Sequence, residues 1–443
     1  MELHVSMSLA PSCEGCGQQR AQYSMLLLIL PNSAVNTLIA RDGGVISGVA
    51  RDSLPVTEHT TGPVPALPLP VLTWSSRIPA LDGLRGIAIL LVLMRHSIFG
   101  MQTSSRFFSK VLAAGQLTWS GVDLFFVLSG FLIGGLLLDA RESPRYFQTF
   151  YIRRAYRIFP LYGAITALFL LRHLPFHLLP GSFGEFSPLT IPWWSYATLT
   201  QNFWMVYLGW FGPTAMAATW SLAVEEQFYL TIPLLVRMIR PRQLLYVLLS
   251  VVAAAPLLRI FLRYSLPHGD LACYILMPCR ADSLCLGVLS AMLVRNGHAW
   301  NLLLAERRLL YGLTTALFAG VAFMTHQGYA LYSAFMTTVG YSWLALFYTA
   351  CLLIAVTAST GGIARRVLCS PALAGLGSLA YCSYLIHAPM IQAARRLLEL
   401  RFSPPAAWLS GGMLGIALTL AVAALSWRFF EKPLLRRGHR YTY

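Results

Sequence analysis

Long apolar runs separated by short arginine-bearing segments constrain this chain more than any other feature. The sequence has 443 residues, of which 56% are hydrophobic and only 11% are charged. A soluble protein is expected to carry about 25% charged residues. A run of about 20 apolar residues can cross a bilayer as one helix. The sequence therefore predicts an all-α, polytopic integral membrane helical bundle.

Apolar runs long enough to span recur about ten times, so we predict about ten transmembrane helices. The predicted spans are 84–104, 119–138, 157–175, 219–238, 243–262, 280–295, 309–326, 341–358, 373–394 and 408–428. The segment 191–211 is also long enough to span, but it contains Pro, Asn and Gln among many aromatic residues. We therefore expect it to be interfacial or re-entrant.

Basic residues alternate between successive connections, which predicts the topology. The connections 173–218 and 327–340 contain no Lys or Arg, whereas those after the second, fourth, sixth and eighth spans are rich in arginine. Arg263, Arg395, Arg396 and Arg401 are exceptions. The bias favours both termini on the cytoplasmic side. Because the formal charge of +16 is spread between spans and is not gathered in a basic domain, no nucleic-acid partner is predicted.

The chain divides by composition into three parts. Residues 1–75 form a Pro-containing N-terminal extension that we expect to be poorly ordered, residues 76–437 form the transmembrane domain, and residues 438–443 form a C-terminal tail. The extension contains one close cysteine pair, Cys13 and Cys16. Without a second pair or nearby histidines, this pair does not predict a metal site.

Arg85 and His96 are costly residues inside the first apolar run. Eleven residues correspond to about three helical turns, so both lie on one face, separated by about 16 Å along the axis. A histidine near the midplane suits a general base or a proton relay. The alternative is a snorkelling arginine and a hydrogen-bonded histidine.

Arg154 and Arg157 are three residues apart at the start of the third span and so are neighbours on a helix surface. Arg153, the residue before Arg154, points to another side of the helix. Paired guanidinium groups hold phosphates in bidentate geometry. The sequence thus favours a cytoplasmic, multiply phosphorylated ligand over a simple positive-inside anchor.

Carboxylates enter two other spans. Asp123 lies at the outer end of the second span, followed by the small residues Ser129 and Gly130, which allow close approach of a helix or a ligand. Glu225 and Glu226 lie inside the fourth span and diverge by about 100°, so they cannot face one partner. Such groups usually pair or line a cavity.

Two later segments are polar. His387, shortly before Pro389, is either a second functional histidine or a packed polar group at a kink. Arg428, Glu431 and Lys432 have the spacing of an ion-pair cluster at a helix end, which we interpret as structural.

Six ordered motifs resemble the membrane-bound acyltransferase family 3, the bacterial O-acyltransferases. They are IPALDGLRGIAI followed by His96, GVDLFFVLSGFLI, RRAYRIFPLY, TWSLAVEEQFYL, AYCSYLIHAP and SWRFFEKP. The resemblance runs from about Arg77 to Arg437. Many members carry an additional SGNH esterase-like domain; we expect none here, so the sequence resembles a standalone member.

The resemblance implies transfer of an acyl group, usually acetyl, from cytoplasmic acyl-CoA to a hydroxyl of a carbohydrate-containing acceptor. The expected location is the bacterial cytoplasmic (inner) membrane, and no permanently bound cofactor is expected. The family patterns fall on Arg85 with His96, on Arg154 with Arg157, and on Glu225.

The resemblance implies a role for each of these residues. Arg154 and Arg157, with Arg85, are expected to bind the CoA phosphates. His96 is expected to be the general base or an acyl-carrying nucleophile, and Asp123 or Glu225 to orient its imidazole.

A proton-coupled transporter or flippase is the alternative from another class. It would use His96, Asp123 and Glu225 as a proton relay. A transporter of this kind is expected to have internal repeats with paired broken helices, which we do not find in the sequence. This alternative also assigns no function to Arg154 and Arg157.

Overall fold

The computed structural model describes residues 78–98, 109–110, 112–113, 115–173, 190–359 and 361–443. The whole predicted N-terminal extension, residues 1–75 with Cys13 and Cys16, lies outside these residues. The described residues are almost entirely helical and contain no strand. The all-α fold class is confirmed.

Ten long helices dominate the structure, and each overlaps one predicted span. They are α1 (Pro79–Ile98), α2 (Gly121–Asp139), α3 (Tyr146–His173), α4 (Thr219–Met238), α5 (Pro241–Ser265), α6 (Met277–Arg295), α7 (Arg307–His326), α8 (Tyr341–Thr357), α9 (Pro371–Glu399) and α10 (Pro404–Ser426). Proline opens α5, α9 and α10. At this position its missing N–H costs nothing and its fixed φ suits a helix.

Six helical stretches of the described chain are long and apolar enough to cross a membrane. They are Gly115–Asp139, Pro241–Ser265, Gly269–Arg295, Arg307–His326, Met336–Thr357 and Ala406–Gly438. The four remaining long helices, α1, α3, α4 and α9, carry most of the candidate functional side chains. A polytopic membrane protein is therefore supported, while the number of crossings and the side of each terminus stay predictions.

The aromatic segment 191–211 is not one continuous helix. It forms two short helices, Trp193–Ala197 and Gln201–Leu208. Leu199 between them has a φ of 56°, which a regular helix does not allow. The segment is thus interrupted near its middle, and its interfacial or re-entrant placement stays a prediction.

Short elements connect the long helices. They are the 3₁₀ turn Gly115–Ser120, the helices Thr214–Ala217, Gly269–Ile275, Ile363–Leu368 and Lys432–Gly438, and the π-helical turns Met336–Gly340 and Trp427–Glu431. Two compact units are distinguishable: the larger comprises residues 72–294 and 306–443, and the described part of the smaller comprises residues 295–305 with the helix Gly297–Ala305.

Helix α9 packs along α1 and α10, and glycines permit its close approach to α1. A Cβ on Gly377 of α9 would collide with the carbonyl oxygen of Asp82, and one on Gly86 of α1 would collide with the carbonyl oxygen of Leu373. The two backbones therefore lie in direct contact. This contact fixes the position of the Arg85 face of α1.

Helices α2 and α6 cross in the same way. A Cβ on Gly130 would collide with the carbonyl oxygen of Leu284, and a Cβ on Gly287 would collide with that of Val127. The prediction that the small residues after Asp123 allow close approach is confirmed for Gly130. This crossing brings Asp123 and Arg280 into one buried layer.

Two ion pairs occupy that layer. Arg280 is paired with Asp123, and Arg259 donates to Asp282 at 2.9 Å; all four side chains are fully buried. Ser342 also donates to Asp282 at 2.7 Å. The network joins α2, α5, α6 and α8. Buried charges need such partners, because an unpaired charge in this layer would be strongly destabilising.

Candidate functional site

A cavity lies among α1, α2, α3, α4 and α9 and the segment 427–435. Four of the six predicted site residues line it: Arg85, Arg154, Arg157 and Glu225. Three different helices supply them, so the sequence positions converge only in the folded chain. The predicted grouping of the three arginines agrees with this arrangement.

The three arginines are half-buried at one end of the cavity. Arg85 donates to Asp82 at 3.2 Å, within its own helix. The guanidinium carbon of Arg154 lies 5.8 Å from the ring centroid of Tyr229, and its Nε atom is buried without a hydrogen-bond partner among the described residues. An unpartnered buried donor beside two further cations is suited to an anionic ligand.

Arg153 lies outside this group, as its position on the helix predicted. Its Nε atom donates to the carbonyl oxygen of Tyr441 at 2.8 Å, and its guanidinium lies 5.1 Å from the ring centroid of Tyr443. Neighbouring arginines in the chain thus have different surroundings.

The charges of the arginines on α3 act on His439, which follows the last long helix. Partial burial, followed by the charges of Arg153, Arg157 and Arg154, lowers the pKa of His439. A nearby positive charge disfavours a second cation and favours an anion.

Glu225 is held by hydroxyl groups in the cavity wall. The Tyr229 hydroxyl donates to Glu225 Oε2 at 3.2 Å, and the Ser129 and Tyr229 hydroxyls are 2.5 Å apart. Because the single Tyr229 proton is engaged by Glu225, Ser129 is the donor in the second bond. The Glu225 carboxylate is therefore fixed near the arginines.

The opposite end of the cavity is marked by Tyr384 of α9. Ser221 donates to the Tyr384 hydroxyl at 2.6 Å, and both residues line the cavity. Ser221 and Tyr229 are eight residues apart on α4, which corresponds to about 12 Å along the helix axis. The cavity thus leads from the arginines to Tyr384.

His96 lies in the last turn of α1 and is exposed. Helix α1 begins at Pro79 and its described part ends at Ile98, two residues after His96. Its Nδ1 atom is 3.0 Å from the carbonyl oxygen of Val92. His96 is absent from the cavity lining, although it lies on the α1 face that begins with Arg85.

The predicted orientation of His96 by Asp123 or Glu225 does not match these contacts. Asp123 is paired with Arg280 in the buried layer, and Glu225 accepts from Tyr229. Among the described residues, the aromatic ring that contacts the His96 ring is that of His387, with ring centroids 4.4 Å apart. Asp123 therefore belongs to the structural network and Glu225 to the cavity.

Glu431 is a cavity residue that the sequence interpretation assigned to an ion-pair cluster. It accepts from Ser426 at 2.9 Å and lines the cavity, while the Arg428 guanidinium lies over the Phe429 ring. The π-helical turn Trp427–Glu431 explains the error, because its wider turn breaks the 3.6-residue spacing on which the ion-pair prediction depended.

A family model described as an acyltransferase domain matches residues 78–428. The match covers most of the chain and includes every residue of the arginine group. The chain belongs to the acyltransferase 3 family. The resemblance carried by the six motifs is thereby confirmed, and Glu225, His96 and the three arginines all lie within the matched region.

Several curated proteins are similar over 82% of this chain. YrhL of Bacillus subtilis (strain 168) is 27% identical over 379 residues, which is 56% of its own length. Peptidoglycan O-acetyltransferase OatA of Listeria monocytogenes is 26% identical over 389 residues, also 56% of its length. O-acetyltransferase OatA of Staphylococcus aureus (strain NCTC 8325 / PS 47) is 24% identical over 383 residues, or 58% of its length.

The chain therefore spans somewhat more than half the length of these relatives. No solved structure matches the chain.

Proposed function

We propose that this protein is a membrane O-acyltransferase that moves an acetyl group from acetyl-CoA to a hydroxyl of a glycan. The observation that carries the proposal is the cavity itself. It joins Arg85, Arg154 and Arg157 at one end to Tyr384 at the other, and Tyr384 adjoins the His387–His96 pair.

The donor is proposed to bind with its phosphates at the three arginines. CoA carries several phosphate groups, and guanidinium groups bind phosphate through charge-assisted, bidentate hydrogen bonds. The unpartnered Nε atom of Arg154 offers a donor for one of them. The cavity beyond is lined by apolar residues of α2 such as Leu128 and Leu132, which suit an uncharged arm. The thioester would then lie toward Tyr384.

The chemistry is assigned to His96. A carbonyl oxygen can only accept, so the 3.0 Å contact with Val92 requires a proton on Nδ1 of His96 and leaves Nε2 as the base. As the acceptor oxygen bonds to the thioester carbonyl carbon, Nε2 takes the hydroxyl proton. The C–S bond then breaks, and the CoA thiolate leaves and receives a proton. We favour this general-base role of His96 over a role in which His96 itself carries the acyl group.

The acceptor class is inferred from the relatives. All three are named as O-acetyltransferases, two of them for peptidoglycan, which favours a cell-wall glycan as acceptor and acetyl as the group moved. Exposure of His96 at the end of α1 is compatible with an acceptor that approaches from the outer side. We place the protein in the bacterial cytoplasmic membrane, with acyl-CoA reached from the cytoplasm.

The transporter alternative needs His96, Asp123 and Glu225 to exchange protons directly. Asp123 is engaged by Arg280, Glu225 accepts from Tyr229, and the His96 ring contacts His387. The three groups are thus held by separate partners, and no observation favours the transporter.

The test uses purified full-length protein in proteoliposomes with acetyl-CoA labelled in the acetyl group and soluble peptidoglycan fragments as acceptor. We expect release of CoA together with label on the glycan, and loss of both in His96→Ala. Arg145→Ala, an exposed arginine of the α2–α3 connection, is the control and should behave as the wild type. Transport of label without release of CoA would overturn the proposal.

A further inference from the structure

A second histidine, His387 on α9, lies against the ring of His96 on α1. The ring centroids are 4.4 Å apart with an interplanar angle of 74°. His387 is fully buried, whereas His96 is exposed. The proposed transfer step assigns no role to His387, so its chemistry requires its own explanation.

The hydrogen bonds of His387 fix its proton. Its Nδ1 atom is 2.6 Å from the carbonyl oxygen of Tyr384, which can only accept, so Nδ1 carries the hydrogen. Its Nε2 atom therefore holds a lone pair. This atom is buried and has no hydrogen-bond partner among the described residues. Buried polar atoms are nearly always satisfied, so an orphan acceptor beside a proposed base indicates a function.

The charged groups that act on the His96 ring are cations. Arg95 on α1 and Arg395 on α9 are the cations that act on the His96 ring. Arg395 donates to the carbonyl oxygens of His96 and Ser97 at 3.0 and 2.6 Å. Helices α8 and α10 and the turn Gly115–Ser120, which also pack against α1, contain no charged residue. The short helix Ile363–Leu368, which carries Arg365 and Arg366, packs at the opposite end of α1, where Leu368 meets Gly83.

On α2, the Asp123 carboxylate is paired with Arg280. No carboxylate among the described residues makes a hydrogen bond or an ion pair with the His96 ring. A histidinium formed on His96 during transfer would therefore lack an anionic partner. The neutral imidazole of His387 is in ring contact with His96 and presents a lone pair to its surroundings.

We infer that His387 is the proton partner of His96, an inference that rests on the proposed acyl transfer. When Nε2 of His96 takes the proton of the acceptor hydroxyl, the lone pair of His387 Nε2 stabilises the resulting imidazolium. The proton then passes to the departing CoA thiolate, and both rings return to the neutral state. No additional reactant is needed.

This arrangement also links the pair to the donor cavity. The Tyr384 backbone carbonyl holds His387, and the Tyr384 hydroxyl, which accepts from Ser221, lies in the cavity wall. Tyr384, which lies at the end of the cavity proposed for the thioester, therefore also fixes the position of the His387 imidazole.

The test compares the wild type with His387→Asn in purified full-length protein. Asparagine retains an N–H near the position of Nδ1 and so keeps the bond to Tyr384, but it lacks Nε2. Acetyl-CoA affinity and the rate of acetyl transfer are measured between about pH 5 and pH 8, where histidine titrates. We expect unchanged affinity and a maximal rate lowered by about 100-fold, the lower end of general acid–base effects.

The pH profile separates a proton partner from a packing residue. Without His387 Nε2, the His96 cation is less stable, so His96 stays deprotonated to lower pH. The acid limb of the rate profile should therefore move to lower pH. A packing defect would lower the rate at every pH without moving the limb, and that result, or an unchanged rate, would overturn the inference.

Two further outcomes are distinguishable. If His387→Asn does not bind acetyl-CoA, His387→Gln, which places an amide oxygen near the Nε2 position, is measured instead. It should retain more activity than His387→Ala, and equal losses would contradict the inference. A wild type that releases no CoA would overturn the proposed function and this inference together, whereas an active wild type with an unaltered His387→Asn overturns the inference alone.

Discussion

Arg153 and Arg154 are adjacent in the chain but have different partners. Arg154 lies over the Tyr229 ring in the cavity, at 5.8 Å from the centroid, whereas Arg153 donates to the Tyr441 carbonyl at 2.8 Å. The pair thus provides a matched comparison, because both substitutions remove one charge from the same turn of α3.

Arg154→Ala should weaken acetyl-CoA binding, while Arg153→Ala should leave it nearly unchanged. A hydrogen bond to a charged group contributes about 1.5–3 kcal/mol, so we expect a loss of affinity of about 10- to 100-fold. Isothermal titration of the detergent-purified variants measures this directly. Equal losses in the two variants would indicate a diffuse charge effect and contradict a phosphate site at Arg154.

Gly377→Ala should destabilise the protein, because the added Cβ collides with the carbonyl oxygen of Asp82 and forces α9 away from α1. Overpacking of this kind costs about 1–3 kcal/mol. Thermal unfolding in detergent, followed by tryptophan fluorescence, should report a lower midpoint. Gly375→Ala is the control: a Cβ at Gly375 meets no atom within 4 Å, so its midpoint should be at least that of the wild type.

Asp123→Leu should cause general destabilisation and not a selective loss of transfer. It leaves Arg280 charged and unpaired in a fully buried layer, and breaking a buried pair costs about 3–5 kcal/mol. The double variant Asp123→Leu/Arg280→Met should recover much of the unfolding midpoint. If Asp123→Leu is stable and binds acetyl-CoA but does not transfer the acetyl group, Asp123 has a catalytic role and the structural assignment is wrong.

The effects of Tyr229→Phe and Glu225→Gln on acetyl-CoA affinity should not be additive. The variant removes the donor to the Glu225 carboxylate, and Glu225→Gln removes the charge that makes this bond strong. A double-mutant cycle on acetyl-CoA affinity should therefore give a coupling free energy of about 0.5–3 kcal/mol. Additive effects would imply that the 3.2 Å contact does not organise the cavity.

Much of the architecture is predictable, because the length of an apolar run in the sequence determines whether that run forms a long helix. Each predicted span overlaps a long helix, and the spacing of Arg154 and Arg157 correctly places both on the cavity side while Arg153 turns away. Their convergence with Arg85 in one cavity agrees with the predicted topology, in which the distribution of arginine assigns all three to the same side of the membrane.

The contacts that the sequence did not predict are long-range or depend on irregular helix geometry. Arg280, the partner of Asp123, is 157 positions away, and no local pattern specifies that pairing. His387 meets His96 only because α1 and α9 pack closely at glycines. Glu431 reaches the cavity through a π-helical turn, which periodicity at 3.6 residues does not predict.

Separate measurement of binding and transfer tests the central claim most directly. Acetyl-CoA affinity and the rate of CoA release to a glycan acceptor are determined for the wild type, Arg154→Ala/Arg157→Ala and His96→Ala. We predict that the arginine variant loses binding, whereas His96→Ala binds acetyl-CoA as the wild type does but does not transfer. Normal binding by the arginine variant, together with loss of binding in His96→Ala, would contradict the assignment.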